Sequence, residues 1–202
     1  MTTSQAVTGS SDPAAPVRDH FTALARAATA AAGEAPTVRA WGQELAAVFS
    51  RGGRLLACGN GGSAAEAQHL TGELVGRFRC DRPPLSGIAL HADTSAVTAI
   101  ANDYGPDDVF ARQVLAHGRR GDVLVAFSTS GTSGNVVAAA KAAQQIGMAV
   151  WALTGPGPNP LAAIADSAVT VAAETVATVQ EVHLAVVHAL CAVLDETLGY
   201  PG

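Results

Sequence analysis

From residue 54 onward, short apolar runs alternate with segments whose apolar residues recur at helical spacing. The runs at 54–58, 87–90, 122–127, 149–153 and 168–171 predict strands. Val123-Leu124-Val125-Ala126-Phe127 is apolar without alternation, as expected of a strand covered on both faces. Between them, 63–76, 94–101, 107–117, 133–146 and 160–165 carry helical patterns. Short strands separated by helices imply βαβ units and a parallel sheet. Upstream, 17–50 predicts helix interrupted near Gly33 to Pro36, with Phe21, Leu24, Val38, Trp41, Leu45 and Val48 on the apolar spacing. Downstream, 174–198 predicts a long helix whose apolar residues run almost all the way round. Such a helix should be buried, partly against another subunit.

The expected fold class is therefore α/β: a three-layer, doubly wound arrangement with a five-stranded parallel sheet and an N-terminal helical extension. Residues 1–15 are rich in Ser, Thr, Pro and Ala and are expected to be disordered. Residues 16–200 form one domain, with helices over 16–52, the parallel core over 53–172 and the terminal helix over 174–198.

Two strand ends carry the candidate chemistry. In LLACGNGGSAAEAQHLTGEL, residues 55–74, a buried strand runs through Gly59-Asn60-Gly61-Gly62 into a helix. Ser63 is the expected N-cap, with Glu66 three residues on as its capping-box partner. A glycine turn that opens a helix exposes N–H groups to the helix dipole and suits an anion. His69 and Glu73, at i and i+4, share one face of that helix, an acid/base pair beside a phosphate turn. The second strand end repeats this logic. DVLVAF leads into STSGTSGN, placing Ser128, Thr129, Ser130 and Ser133 beside a helix start. Hydroxyl donors there can satisfy the three acceptor oxygens of a phosphate monoester without a lysine. Ligands of open α/β sheets bind beyond the carboxyl ends of the strands, where both turns must lie.

Composition narrows the classes. The 202 residues are 49% hydrophobic, 14% charged and 4% aromatic, a globular composition. A net charge of −5 without a Lys/Arg run argues against nucleic-acid binding. The three cysteines have no metal spacing and suit a reducing cytosol. No uninterrupted apolar run reaches ~18 residues and the first residues lack a signal-peptide pattern, so a cytoplasmic protein without a membrane partner is expected. No GxGxxG fingerprint appears, so no nucleotide cofactor is expected.

Taken in order, GNGGS (59–63), QHLTGEL (68–74), AIANDYG (99–105), STSGTS (128–133), LTG (153–155) and VQEVHLAVVH (179–188) resemble the sugar isomerase (SIS) domain, whose core is flavodoxin-like. More narrowly they are similar to its phosphoheptose isomerases, over residues 20–198. The resemblance implies aldose–ketose isomerisation of sedoheptulose 7-phosphate to D-glycero-D-manno-heptose 7-phosphate. It places the general base at Glu73 and a second acid/base group at His188. It assigns the phosphate to Ser128, Thr129, Ser130 and Ser133, and further substrate contacts to Asn60, Gly61, Gly62, Asn102, Asp103 and Gln180. It implies zinc held by His69, Glu73, Gln180 and His188, and a homotetramer with sites at subunit boundaries. Thr132 stands where the family usually has Asn, and Leu70-Thr71-Gly72 where relatives often have Phe and Ala.

The residues also admit plainer readings. His183, His91 and His117 are read as structural, His183 alternatively as intersubunit, and Asp103 as a possible cap. Gln180 and His188 lie ~12 Å apart along one helix axis, so sharing an ion asks for long reaches or for Gln180 at the helix start. A second class of function is a non-catalytic SIS module that binds a replication initiator or senses a sugar phosphate. Initiator-binding relatives lack the glutamate and the histidine that stand here at 73 and 188. Another sugar phosphate is the alternative substrate.

Overall fold

The computed structural model describes residues 12–200. Up to residue 11, the segment expected to be disordered lies outside the described residues, and helix α1 already begins at Ala15. The elements follow as α1 (Ala15–Ala31), a 3-10 turn (Ala32–Glu34), α2 (Ala35–Ser50), β1 (Leu55–Cys58), α3 (Gly62–Val75) and β2 (Gly87–Ala89). Next come α4 (Thr94–Tyr104), α5 (Asp108–His117), β3 (Val123–Ser128), α6 (Gly134–Gln145), β4 (Ala149–Thr154), α7 (Pro160–Ile164), β5 (Ser167–Thr170) and α8 (Val176–Thr197). Pro16 and Pro36 sit in the first turns of α1 and α2, where a missing N–H costs nothing. Asp93, Asn159 and Thr175 cap α4, α7 and α8 by accepting from the N–H of Ala96, Ala162 and Thr178.

All strand pairs are parallel, in the order β2-β1-β3-β4-β5. The chain moves outward from β1 to β2, then crosses back over β1 to lay down β3. The carboxyl ends of β1 and β3 are therefore the switch point at which a crevice opens. Every residue of β1 and β3 is buried, because alternate side chains enter two different cores. Leu55, Ala57, Val123, Val125 and Phe127 join α1, α2, α3 and α8 on one face. Leu56, Cys58, Leu124 and Ala126 join α5, α6 and α7 on the other, with α4 at its margin. Trp41 of α2 stacks on Trp151 of β4 at 5.1 Å and donates its indole N–H to the Ser167 hydroxyl at 2.9 Å, fastening the helical extension to the sheet.

By length and composition α8 is apolar enough to cross a membrane, which core helices also are. Here Val182, Val187, Leu190 and Leu194 are buried in the α1–α3 face of the core. Glycine 42 allows this: a Cβ there would stand 2.5 Å from Val193 Cγ1, so α2 and α8 cross with their backbones close.

Leu124 lies between β1 and β4 and is fully buried in the α5–α6 core. Leu124→Ala should destabilise the fold by about 2–5 kcal/mol, read as a lowered urea midpoint at unchanged slope.

Candidate active site

Helix α3 begins one residue before the expected cap. Its N-cap position is Gly61, at φ 55°, and no side chain caps it. Ser63 lies inside the first turn and is buried, so the Ser63–Glu66 capping box does not form. Glu66 turns inward instead. Its Oε2 lies 3.5 Å from Nδ1 of the fully buried His183 on α8. His183 Nε2 lies 3.1 Å from the Thr154 carbonyl, and a carbonyl only accepts, so this nitrogen carries the proton. The structural reading of His183 fits this setting.

One to two turns further along α3, His69 and Glu73 face α8. His69 Nε2 is 3.1 Å from Glu73 Oε1 and 2.9 Å from Nε2 of His188. Phe78 stacks against the His188 ring at 5.8 Å, while His69 meets that ring edge-on. The three donors lie within 4.8 Å of one another. This donor set fits a metal. A tetrahedral zinc with bonds of about 2.0–2.1 Å spaces its donors roughly 3.3 Å apart, close to the separations observed. Gln180, the fifth residue of α8, lies at the head of α3, where a Cβ on Gly62 would stand 2.3 Å from its Nε2. An open cleft of about 490 Å³ leads to His69 and Glu73 past Gln68, Gly72 and Arg77.

The hydroxyl turn closes on itself at the end of β3. Ser128 Oγ lies 3.0 Å from Ser133 Oγ and 3.4 Å from Ser130 Oγ, and the Gly131 N–H donates to it at 3.1 Å. Gly131 is obligatory: φ is 65°, and a Cβ would meet the Asn159 side chain at 2.1 Å. Ser133 occupies the N-cap position of α6 without capping it, and the Asp107 carboxylate stands against Gly134 in that first turn. Thr129 belongs to the same turn, its carbonyl against Gly155. Asn60 and Asn135 exchange two side-chain hydrogen bonds, 2.8 and 3.0 Å long, that join the β1 turn to the start of α6. Both uncapped helix starts thus meet at the switch point.

Asn102 and Asp103 lie elsewhere. They occupy the last turn of α4, exposed and bonded to each other at 2.8 Å, on the sheet face opposite α3 and α8. Within one chain the described contacts do not join them to the His–Glu–His cluster. Sequence reasoning also left out Asn135, Asn159 and Phe78. The partners of Asn135 and Phe78, Asn60 and His188, are remote in the chain and leave no local pattern, whereas Asn159, an N-cap directly before Pro160, does carry a local signal.

The chain is similar to known proteins in both sequence and fold. The SIS domain family matches residues 19–155, and the chain belongs to it. Its relatives narrow the class. A phosphoheptose isomerase of Streptomyces coelicolor is 61% identical over 183 residues, covering 91% of this chain and 79% of the relative. A phosphoheptose isomerase structure from Neisseria gonorrhoeae superposes with a TM-score of 0.83 at 42% identity, covering 90% of this chain and 97% of that one. One from Francisella tularensis gives 0.87 at 34% identity, covering 92% and 100%. Within the SIS family, this chain falls among the phosphoheptose isomerases.

Behind the cluster, burial pushes the Cys191 thiol up to about 12, with the charges of Glu73 and Asp195 adding and Arg82 opposing. Burial alone pushes Cys58 up to about 12. Both should stay protonated and resist iodoacetamide at pH 8 in the folded protein, then react once urea unfolds it. Mass mapping of alkylated peptides before and after unfolding checks this.

Proposed function

We propose that the chain isomerises sedoheptulose 7-phosphate to D-glycero-D-manno-heptose 7-phosphate. The observation that carries the reading is the convergence of Glu73, His69 and His188, at 3.1 and 2.9 Å, next to two uncapped helix starts. The substrate's phosphate takes the hydroxyls of Ser128, Thr129, Ser130 and Ser133 together with the α6 N–H groups. Asn60, Gly61, Gly62 and Gln180 hold the sugar between that turn and α3.

The chemistry follows from two proton paths. Moving a carbonyl from C2 to C1 takes a proton from C1, passes through an enediolate and returns a proton to C2. Glu73 does both on one face of the substrate, since a carboxylate releases what it has taken. Its Oε1 is turned to His69, which leaves Oε2 for the carbon-bound proton. His188 moves protons between the substrate oxygens and opens the sugar ring, a role suited to imidazole near neutral pH. Zinc fits the donors, with His69, Glu73 and His188 as ligands and Gln180 as the fourth that the family pattern assigns. When bound, it supplies a Lewis acid for negative charge on the substrate oxygens.

Exposed apolar surface points to assembly. An apolar cleft of about 270 Å³ runs between α1–α2 and α8, lined by Ala28, Val38, Val182 and Val186 among others. Phe21 and Val17 on α1 are largely exposed. A homotetramer with sites at subunit boundaries would cover these surfaces and give Asn102 and Asp103 a site to serve. The buried thiols Cys58 and Cys191 suit the cytoplasm.

Incubation with sedoheptulose 7-phosphate should yield the aldose, followed by NMR. Glu73→Gln keeps the shape of the side chain but cannot take a proton. Turnover should fall by roughly 10²–10⁴-fold while phosphate binding and the melting temperature stay near wild type. Most of the activity surviving would sink the assignment of the base.

Chelation addresses the metal. A sample shown by elemental analysis to be metal-free should be inactive and recover on addition of zinc. Full activity in that sample would remove zinc from the reading.

A further inference from the structure

Arg82 is buried, its side chain 1% exposed, at a place where nothing in the proposed reaction needs a cation. It lies after α3, and its guanidinium reaches back. Nη2 donates to the carbonyl of Glu73 at 2.8 Å, and Nη1 donates to the carbonyls of Leu74 at 3.0 Å and Pro83 at 3.2 Å. The first two belong to the last turn of α3, whose carbonyls have no partner within the helix. Nε donates to Asp195 Oδ1 on α8 at 2.8 Å, and the Asp195 side chain is 4% exposed. Asp195 stands seven residues after His188, two helical turns on and on the same face. One rigid side chain therefore connects the backbone of Glu73 to the face of α8 that carries His188.

We infer that Arg82 and Asp195 form a positioning clamp that sets the distance between Glu73 and His188, so that Arg82 governs turnover without touching substrate. The inference rests on Glu73 being the base. A planar fork suits this task because its donors point in fixed directions to both helices at once. A lysine ammonium is a single point on a flexible stem and can hold the Glu73 carbonyl or Asp195, but not both in this geometry. The low dielectric adds to the effect. Buried and paired, the guanidinium holds its carbonyls with charge-assisted bonds, which are shorter and stronger than neutral ones.

A merely structural role would lower stability and leave turnover per folded molecule alone. The Asp122 side chain supplies that comparison, since it is also buried and accepts from the N–H of Arg54 and Arg119 and pairs with the Arg54 side chain, away from the site. The experiment measures Arg82→Lys, Asp195→Asn and Asp122→Asn against wild type in three ways. These are melting temperature, kcat and KM for sedoheptulose 7-phosphate, and the long-range ¹H–¹⁵N imidazole signals of His69 and His188 without substrate.

For Arg82→Lys and Asp195→Asn, kcat should fall about tenfold or more while KM stays within about twofold, and the signals of both rings should shift. Asp122→Asn should lose stability with kcat, KM and ring signals unchanged. If the two clamp variants behave like Asp122→Asn, the clamp is only structural and the inference is overturned. Should Arg82→Lys fail to fold, Asp195→Asn decides by the same readings. If wild type itself does not turn over, the isomerase reading has failed, and the imidazole signals still decide whether Arg82 sets the His69–His188 contact.

Discussion

The seam between α3 and α8 is the contact on which everything else depends. Residues 119 positions apart in sequence bring two imidazole nitrogens to 2.9 Å there. Apolar burial holds the seam in bulk, through Ala67, Leu70 and Leu74 on one side and Val187, Leu190 and Leu194 on the other. Burial is non-directional, however, and would tolerate small slides of one helix along the other. Two buried polar contacts limit that freedom. Glu66 faces His183 near the head of α3, and Arg82 joins Asp195 at its tail. The reactive side chains lie between these two anchors.

The opposite wall of the crevice is built from absences that have a use. α4, α7 and α8 satisfy their first N–H groups with a side-chain cap; α1, α2 and α5 do not, and neither do α3 and α6. Those two are the helices that follow β1 and β3, the strands flanking the switch point. An uncapped start is a cost in an isolated helix and an advantage where an anion must bind. The Asn60–Asn135 pair ties the two starts together, so both face the same space.

Local signals in the chain carried most of the fold. All five strands and the helices after residue 54 lie within a few residues of where apolar spacing put them, because burial on both faces and helical periodicity are written in neighbouring residues. The hydroxyl turn was legible for the same reason: Ser128, Ser130 and Ser133 are close in sequence as well as in space. The pattern misled at Ser63 and Glu66. Their spacing satisfies a capping box, but the glycines ahead of them let the helix start earlier, and Glu66 finds a buried partner on α8 instead.

By itself, then, the sequence determined the α/β architecture, the two turns and the pairing of His69 with Glu73 on one helix face. These rest on interactions over a few residues. Only the tertiary structure decided that His188 completes that pair, that Gln180 meets Gly62 at the head of α3, and that Arg82 ties the Glu73 backbone to Asp195. The pairings of His69 with His188 and of Arg82 with Asp195 span 119 and 113 residues. They exist because a fixed strand order and a close crossing of α3 with α8 leave each of these polar groups one place to be satisfied.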